Sequence, residues 1–68
     1  MKANSEFDAT RGGYLLRSYS NAYGEGTDFY DADEPNHYIG RVNGYSPSEI
    51  EEMSEDEFQE ILEDNYIN

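Results

Sequence analysis

The stretch SPSEIEEMSEDEFQEILED, Ser46–Asp64, has the most strongly constrained secondary structure in this chain. Ser46 is followed by a proline and, three residues on, by Glu49, which is the order of an N-cap serine, a proline at the first helical position and a capping-box glutamate. Ser54 and Glu57 repeat the capping-box spacing. The pattern therefore predicts helix over residues 46–66, either as one bent helix or as a short helix followed by a longer one.

Apolar residues recur at helical spacing within the same segment and define one face of the predicted helix. The stripe consists of Phe58, Ile61, Leu62 and Tyr66, and a roughly collinear first piece would add Ile50 and Met53. Because such a face is stable only when it is covered, the helix is expected to pack against the remainder of the chain.

Two short runs ahead of the helix predict a β-hairpin. Thr27–Asp31 (TDFYD) and His37–Val42 (HYIGRV) are rich in aromatic and β-branched residues. The intervening segment ADEPN contains a proline and an asparagine, which suit a turn. We therefore expect an antiparallel pair of strands here.

Residues 13–23 fit two interpretations. As a strand, the segment places Tyr14 and Leu16 on one face and Leu15 and Tyr19 on the other. As a helix, it would end at the left-handed residue that a glycine at position 24 supplies. The paired glycines at positions 12 and 13, with the serine and tyrosine content, favour the strand, and the helix stays open.

The composition bounds the fold class. Leu, Ile, Val and Phe make up only eleven of 68 residues and the formal net charge is −12, values that fall in the range of intrinsically disordered chains. Seven tyrosines and three phenylalanines supply large buried areas and favour a folded domain with a thin core. We predict one α+β domain over residues 1–68, with strands and turns in 1–45 and a short antiparallel sheet of two or three strands packed by a C-terminal acidic helix or helix pair.

Nine carboxylates and no basic residue lie between Ser46 and Asp64. Helices usually place Lys or Arg four residues from an acid, which converts repulsion into attraction. On a continuous helix these nine charges are spaced by roughly 2.7 Å along the axis, between the spacing of about 1.7 Å in duplex DNA and about 3.4 Å in one strand. The charge density favours a functional surface, and an ordinary solvated face of an amphipathic helix is the alternative.

The candidate partner-binding residues comprise the helical carboxylates of one sector, the acidic cluster of the predicted turn, and two tyrosines that flank the helix. They are Asp31, Asp33, Glu34, Glu49, Glu52, Asp56, Glu60, Glu63, Asp64, Tyr45 and Tyr66.

Several function classes are disfavoured. One histidine and no cysteine give little basis for catalysis or for a zinc site, and the cluster from Asp31 to His37 lacks the glycine and the twelfth-position glutamate of an EF-hand loop. Four basic residues are too few for direct nucleic-acid binding. Neither a signal peptide nor a transmembrane run is evident, so the sequence predicts no enzyme, no cofactor, no membrane contact and a cytoplasmic location.

In size, charge, lack of cysteine and its carboxylate-striped C-terminal helix, the chain resembles the small acidic DNA mimics made by phages, the anti-CRISPR and anti-restriction proteins. The resemblance implies an inhibitor that blocks the groove of a positively charged nucleic-acid-binding protein, acting as a monomer or weak homodimer in the host cell. The alternative is an acidic adaptor or antitoxin-like regulatory module that docks through apolar and tyrosine side chains.

Overall fold

The computed structural model describes residues 7–67, which form a four-stranded antiparallel sheet followed by two helices. The elements are β1 Ala9–Arg11, β2 Tyr14–Asn21, β3 Gly24–Asp31, β4 Tyr38–Asn43, α1 Pro47–Glu52 and α2 Glu55–Asp64. The strands pair in chain order. The predicted α+β class is confirmed, whereas the predicted two or three strands are too few. The single domain proposed for 1–68 also includes residues 1–6 and Asn68, which lie outside the described residues.

β1 is the strand that the sequence analysis missed. A two-residue loop joins β1 to β2, with Arg11 paired to Tyr14. Gly12 and Gly13 both have positive φ, 59° and 85°, as a type I′ hairpin loop requires. The two adjacent glycines were therefore the sequence signal for this hairpin. Of the two interpretations of residues 13–23, the strand is confirmed, because β2 lies within this segment.

The predicted hairpin of the middle segment is confirmed as β3 and β4. β3 begins three residues earlier than expected, at Gly24, and pairs along its whole length with β2. A β-bulge near Phe29 shifts the register with β4, so that Phe29 pairs with Gly40 and Tyr30 pairs with Tyr38. Ile39 is the extra residue of the bulge.

The core lies between one face of the sheet and the two helices. Its buried apolar residues are Leu16, Phe29, Val42, Ile50, Phe58, Ile61, Leu62 and Ile67. The helical stripe predicted from the sequence is therefore buried, with one exception. Tyr66 is 89% exposed, because α2 ends at Asp64 and the chain turns through a left-handed residue at Tyr66.

Of the two helical arrangements left open, the short helix followed by a longer one is observed. Ser46 and Glu49 form a complete capping box on α1, and Ser54 accepts a hydrogen bond from the Glu57 amide at the start of α2. Met53 has extended backbone angles between the two helices. None of the helices within residues 7–67 is long and apolar enough to span a membrane.

Candidate partner-binding surface

The outward side of α2 carries an acidic ridge, formed by Asp56, Glu60 and Glu63. At about 100° per residue these positions lie opposite the buried Phe58 and Ile61. All three ridge carboxylates are exposed. In total α2 carries six carboxylates, because Glu55, Glu57 and Asp64 flank the ridge. Ten residues span about 15 Å, so the carboxylates are spaced by about 2.5 Å along the axis.

The carboxylates of α1 follow a different axis. Glu49 and Glu52 were expected in the same sector as the ridge, an arrangement that needs a continuous helix. The break at Met53 removes that continuity, so the nucleic-acid-like linear density belongs to α2 alone. Glu49 also has a local role, since its Oε1 accepts a hydrogen bond from the Ser46 amide at 2.8 Å. Both side chains are exposed.

The predicted acidic cluster lies at the end of β3 and in the following loop. Asp31 Oδ1 accepts a hydrogen bond from the Asp33 amide at 2.8 Å, and the Glu34 carbonyl accepts one from the His37 amide at 2.8 Å. These contacts order the loop locally. Within residues 7–67 no three acidic, histidine or cysteine side chains converge as metal ligands would.

The two candidate tyrosines differ in their surroundings. Tyr45 joins β4 to α1 and is 38% exposed, and its carbonyl accepts a hydrogen bond from the hydroxyl of the buried Thr27 at 2.8 Å. Tyr66 is the C′ residue of a Schellman motif, in which the Ile67 amide donates to the Leu62 carbonyl at 2.8 Å. Tyr66 takes a φ of 58°, a position that usually holds glycine.

The described arginines have their ion-pair partners outside the ridge. Arg41 donates from Nε to Asp28 Oδ1 at 2.6 Å on the sheet face opposite the helices, and this hydrogen bond raises the pKa of Arg41. Arg11 contacts the helices, where its Nη2 lies 3.4 Å from Glu55 Oε1. Arg17 is exposed on β2. Within residues 7–67, therefore, no arginine forms an ion pair with a ridge carboxylate.

Sequence reasoning missed an aromatic cluster on the sheet face that the helices leave uncovered. Tyr30 makes edge-to-face contacts with Phe7 and Tyr38, with ring centroids 5.3 and 5.5 Å apart. The Arg41 guanidinium lies 3.8 Å from the centroid of Tyr19. Burial, with a smaller contribution from Asp28, raises the pKa of Tyr38. The alternation of side chains along a strand could have indicated this cluster. It directs these side chains to the face opposite the core residues of the same strands.

Sequence reasoning also missed an open cleft of about 440 Å³ beside α2. Its lining combines side chains from β1, β2, α2 and the C-terminal segment. They are Arg11, Gly12, Tyr14, Glu55, Phe58, Gln59, Leu62, Glu63 and Ile67. No sequence pattern shows this arrangement, since its members are brought together only when α2 packs against the β1–β2 hairpin.

A scan against protein-family models, a search of curated proteins and a search of solved structures all find no match to this chain.

Proposed function

We propose that this protein is a nucleic-acid-mimicking inhibitor whose acidic surface blocks the DNA- or RNA-binding groove of a host defence complex, such as a CRISPR effector. The observation that carries the proposal is the acidic ridge on α2, together with the six-carboxylate density of that helix. No arginine of the described chain neutralises the ridge. Its charges are thus available to a basic partner.

The ridge would act through long-range attraction followed by displacement of counterions. A surface of one sign raises the rate of encounter with an oppositely charged groove. When carboxylates replace phosphates in that groove, they compete with nucleic acid for the same Lys and Arg side chains. The loop carboxylates Asp31, Asp33 and Glu34 and the α1 carboxylates Glu49 and Glu52 extend the acidic surface in this proposal. The inhibitor would act in the host cytoplasm without a cofactor.

The test is a matched pair of double variants with the same change in net charge. Asp56→Asn/Glu60→Gln neutralises two ridge positions, whereas the sheet double, Asp8→Asn/Glu25→Gln, neutralises the carboxylate just before β1 and one carboxylate of β3. Binding to a purified CRISPR effector complex is measured by fluorescence anisotropy at several salt concentrations, with DNA as competitor. We expect the ridge double to weaken binding at least tenfold and the sheet double by less than threefold, each loss of 1.4 kcal/mol corresponding to about tenfold.

Equal effects of the two doubles, or binding that is insensitive to both salt and competing DNA, would contradict mimicry. Binding to a panel of other nucleic-acid-binding defence complexes is measured in the same way, because the CRISPR effector is only one example of the proposed class of partners. Failure of every member of this panel to bind would also count against the proposal.

The aromatic cluster on the uncovered sheet face favours a second candidate, the acidic adaptor or regulatory module. The helical stripe cannot serve as its docking surface in the folded chain, because Phe58 is 3% exposed and Leu62 is 8% exposed. Tyr38, in contrast, is 48% exposed on the open face. For this candidate, Tyr38→Ser would abolish partner binding and the ridge double would leave it unchanged.

A further inference from the structure

The sheet face opposite the helices is poor in carboxylates. Side chains alternate between the two faces of each strand, and Leu16, Phe29 and Val42 point to the helices. The opposite face, called the open face below, contains Leu15, Arg17, Asp28, Tyr30, Tyr38 and Arg41. Asp28 is the only carboxylate that the four described strands place on this face. In a chain of net charge −12, a second copy would therefore meet little repulsion here.

Charges of alternating sign cross the open face in one row. Arg17 of β2 pairs in register with Asp28 of β3, and Asp28 pairs with Arg41 of β4. On the β1 side of Arg17 lies Asp8, whose Oδ2 accepts a hydrogen bond from the Ser18 amide at 2.9 Å. From the β1 edge to the β4 edge the row is negative, positive, negative and positive. A row of this kind complements its own copy after rotation by 180° about an axis along the strands.

A second row, two residues further along the strands, is apolar. Leu15 pairs in register with Tyr30, and Tyr30 pairs with Tyr38. The Phe7 ring packs on Tyr30, with centroids 5.3 Å apart. Tyr38 is 48% exposed, and the other three side chains are half-buried. The same rotation exchanges β2 with β3, so it places Tyr30 of one copy on Leu15 of the other.

We propose that the open face is a homodimer interface, in which two copies pack sheet on sheet about a two-fold axis that runs between β2 and β3. Arg17 of each copy faces Asp28 of the other, and Arg41 faces Asp8. Each contact therefore occurs twice, as an isologous interface requires. The arginine side chains are long enough to follow the rotation of about 30° between aligned sheets. The helices lie on the outer sides of the dimer, where the two sets of helical carboxylates are far apart.

The size of the open face determines how tightly the copies bind. Four strands about 4.8 Å apart and a strand length of about 20 Å give a flat area of roughly 400 Å² per copy. The relief of the side chains raises the total buried area to roughly 800–1,000 Å², which is less than the 1,200–2,000 Å² of stable interfaces. We therefore expect a weak dimer with a dissociation constant on the order of 100 µM.

Sedimentation equilibrium of the full chain, from about 10 µM to about 1 mM, measures this constant. About 0.15 M salt is present to screen the net charge. Arg17→Ala and its control Ser48→Glu change the net charge equally, and Ser48 lies on α1, away from the open face. Tyr38→Ser and its control Tyr23→Ser both remove exposed tyrosines, and Tyr23 lies in the loop between β2 and β3. We expect Arg17→Ala and Tyr38→Ser to raise the dissociation constant at least fivefold and each control by less than twofold.

The orientation of the copies is tested with a single cysteine, because the chain has none of its own. A nitroxide label on Glu60→Cys reports the distance between the two α2 helices of the dimer. Helix, sheet, sheet and helix are stacked with spacings of about 10 Å, so double electron–electron resonance should give label distances above about 30 Å. A dimer formed through the helices would give less than about 20 Å.

A chain that stays monomeric up to about 1 mM, equal effects within either matched pair, or label distances below about 20 Å would overturn the proposal. Circular dichroism confirms that each variant remains folded. A monomer that binds a foreign protein through Tyr38 would also overturn it and would assign the open face to that protein. The ridge lies on the other side of the molecule, so loss of the dimer and loss of ridge binding are separate results.

Discussion

The Arg11 guanidinium donates a hydrogen bond from Nη1 to the backbone carbonyl of Met53 at 2.6 Å. The same nitrogen donates to the Ile50 carbonyl at 2.8 Å. A residue of β1 thereby satisfies carbonyls at the end of α1, which has no basic residue in its last turn. The contact also joins the sheet to the point where the two helices separate.

Replacing Arg11 is therefore expected to destabilise the fold. Arg11→Ala should lower the free energy of unfolding by about 2–3 kcal/mol, since it removes charge-assisted hydrogen bonds and the contact with Phe58. Urea unfolding followed by far-UV circular dichroism measures the change. Arg17→Ala is the control and should change stability by less than about 0.5 kcal/mol, because Arg17 is exposed. Arg11→Lys should be intermediate, and equal stability of the alanine and wild-type chains would contradict the assignment.

Tyr66→Gly should stabilise the protein. The φ of 58° is unfavourable for an L-residue with a side chain, and an exposure of 89% means that truncation removes little packing. We expect a gain of about 0.5–1 kcal/mol in the free energy of unfolding. Tyr23→Gly is the matched control, since Tyr23 is 97% exposed but does not have positive φ. A gain from both variants would show that the left-handed geometry is not the cause.

Two glycines in paired strands should respond differently to alanine. A Cβ at Gly26 would meet the Val42 backbone carbonyl and approach Asn43 Cα to 2.9 Å, whereas a Cβ at Gly40 would lie 2.6 Å from the flexible end of Ile67. Backbone cannot move as a side chain can. Gly26→Ala should therefore cost about 3 kcal/mol and Gly40→Ala about 1 kcal/mol. Thermal unfolding measures both, and a larger loss for Gly40→Ala would refute the comparison.

Neutralising acids at opposite ends of α2 should change stability in opposite directions. Asp56 lies in the first turn, where it interacts favourably with the helix dipole, and Asp64 lies at the unfavourable C-terminal end. Asp64→Asn is expected to raise the free energy of unfolding by about 0.3–0.5 kcal/mol and Asp56→Asn to lower it or leave it unchanged. Both differences should shrink as salt is added. Equal stabilisation by the two variants would indicate that general charge repulsion dominates.

The two helices and the β3–β4 hairpin were predictable from the sequence, because their formation depends on residues only a few positions apart. The serine caps at Ser46 and Ser54 marked both helix starts, since a cap satisfies amide groups within one turn of itself. The hairpin of β3 and β4 followed from composition and from the turn between them. β1 was missed because three residues carry too little periodicity, although Gly12-Gly13 was a usable signal.

The candidate site was predictable only in part. The orientation of the α2 carboxylates was predictable from helical periodicity, because that periodicity determines the direction of each side chain relative to Phe58 and Leu62. The separation of Glu49 and Glu52 from that helix was not predictable, because the angle between two capped helices depends on how each packs. The stripe position assigned to Tyr66 was wrong for a related reason, since the helix ended earlier and the chain turned.

The sequence by itself determined the helical segments, the paired strands of the middle region and the concentration of negative charge, because these depend on residues a few positions apart. The tertiary structure alone decided which surfaces remain exposed. It placed the Arg11 guanidinium on Phe58, left the Tyr30 side of the sheet uncovered and formed the cleft between Tyr14 and Glu63. Each of these contacts joins residues far apart in the chain, and packing of the core brings them together.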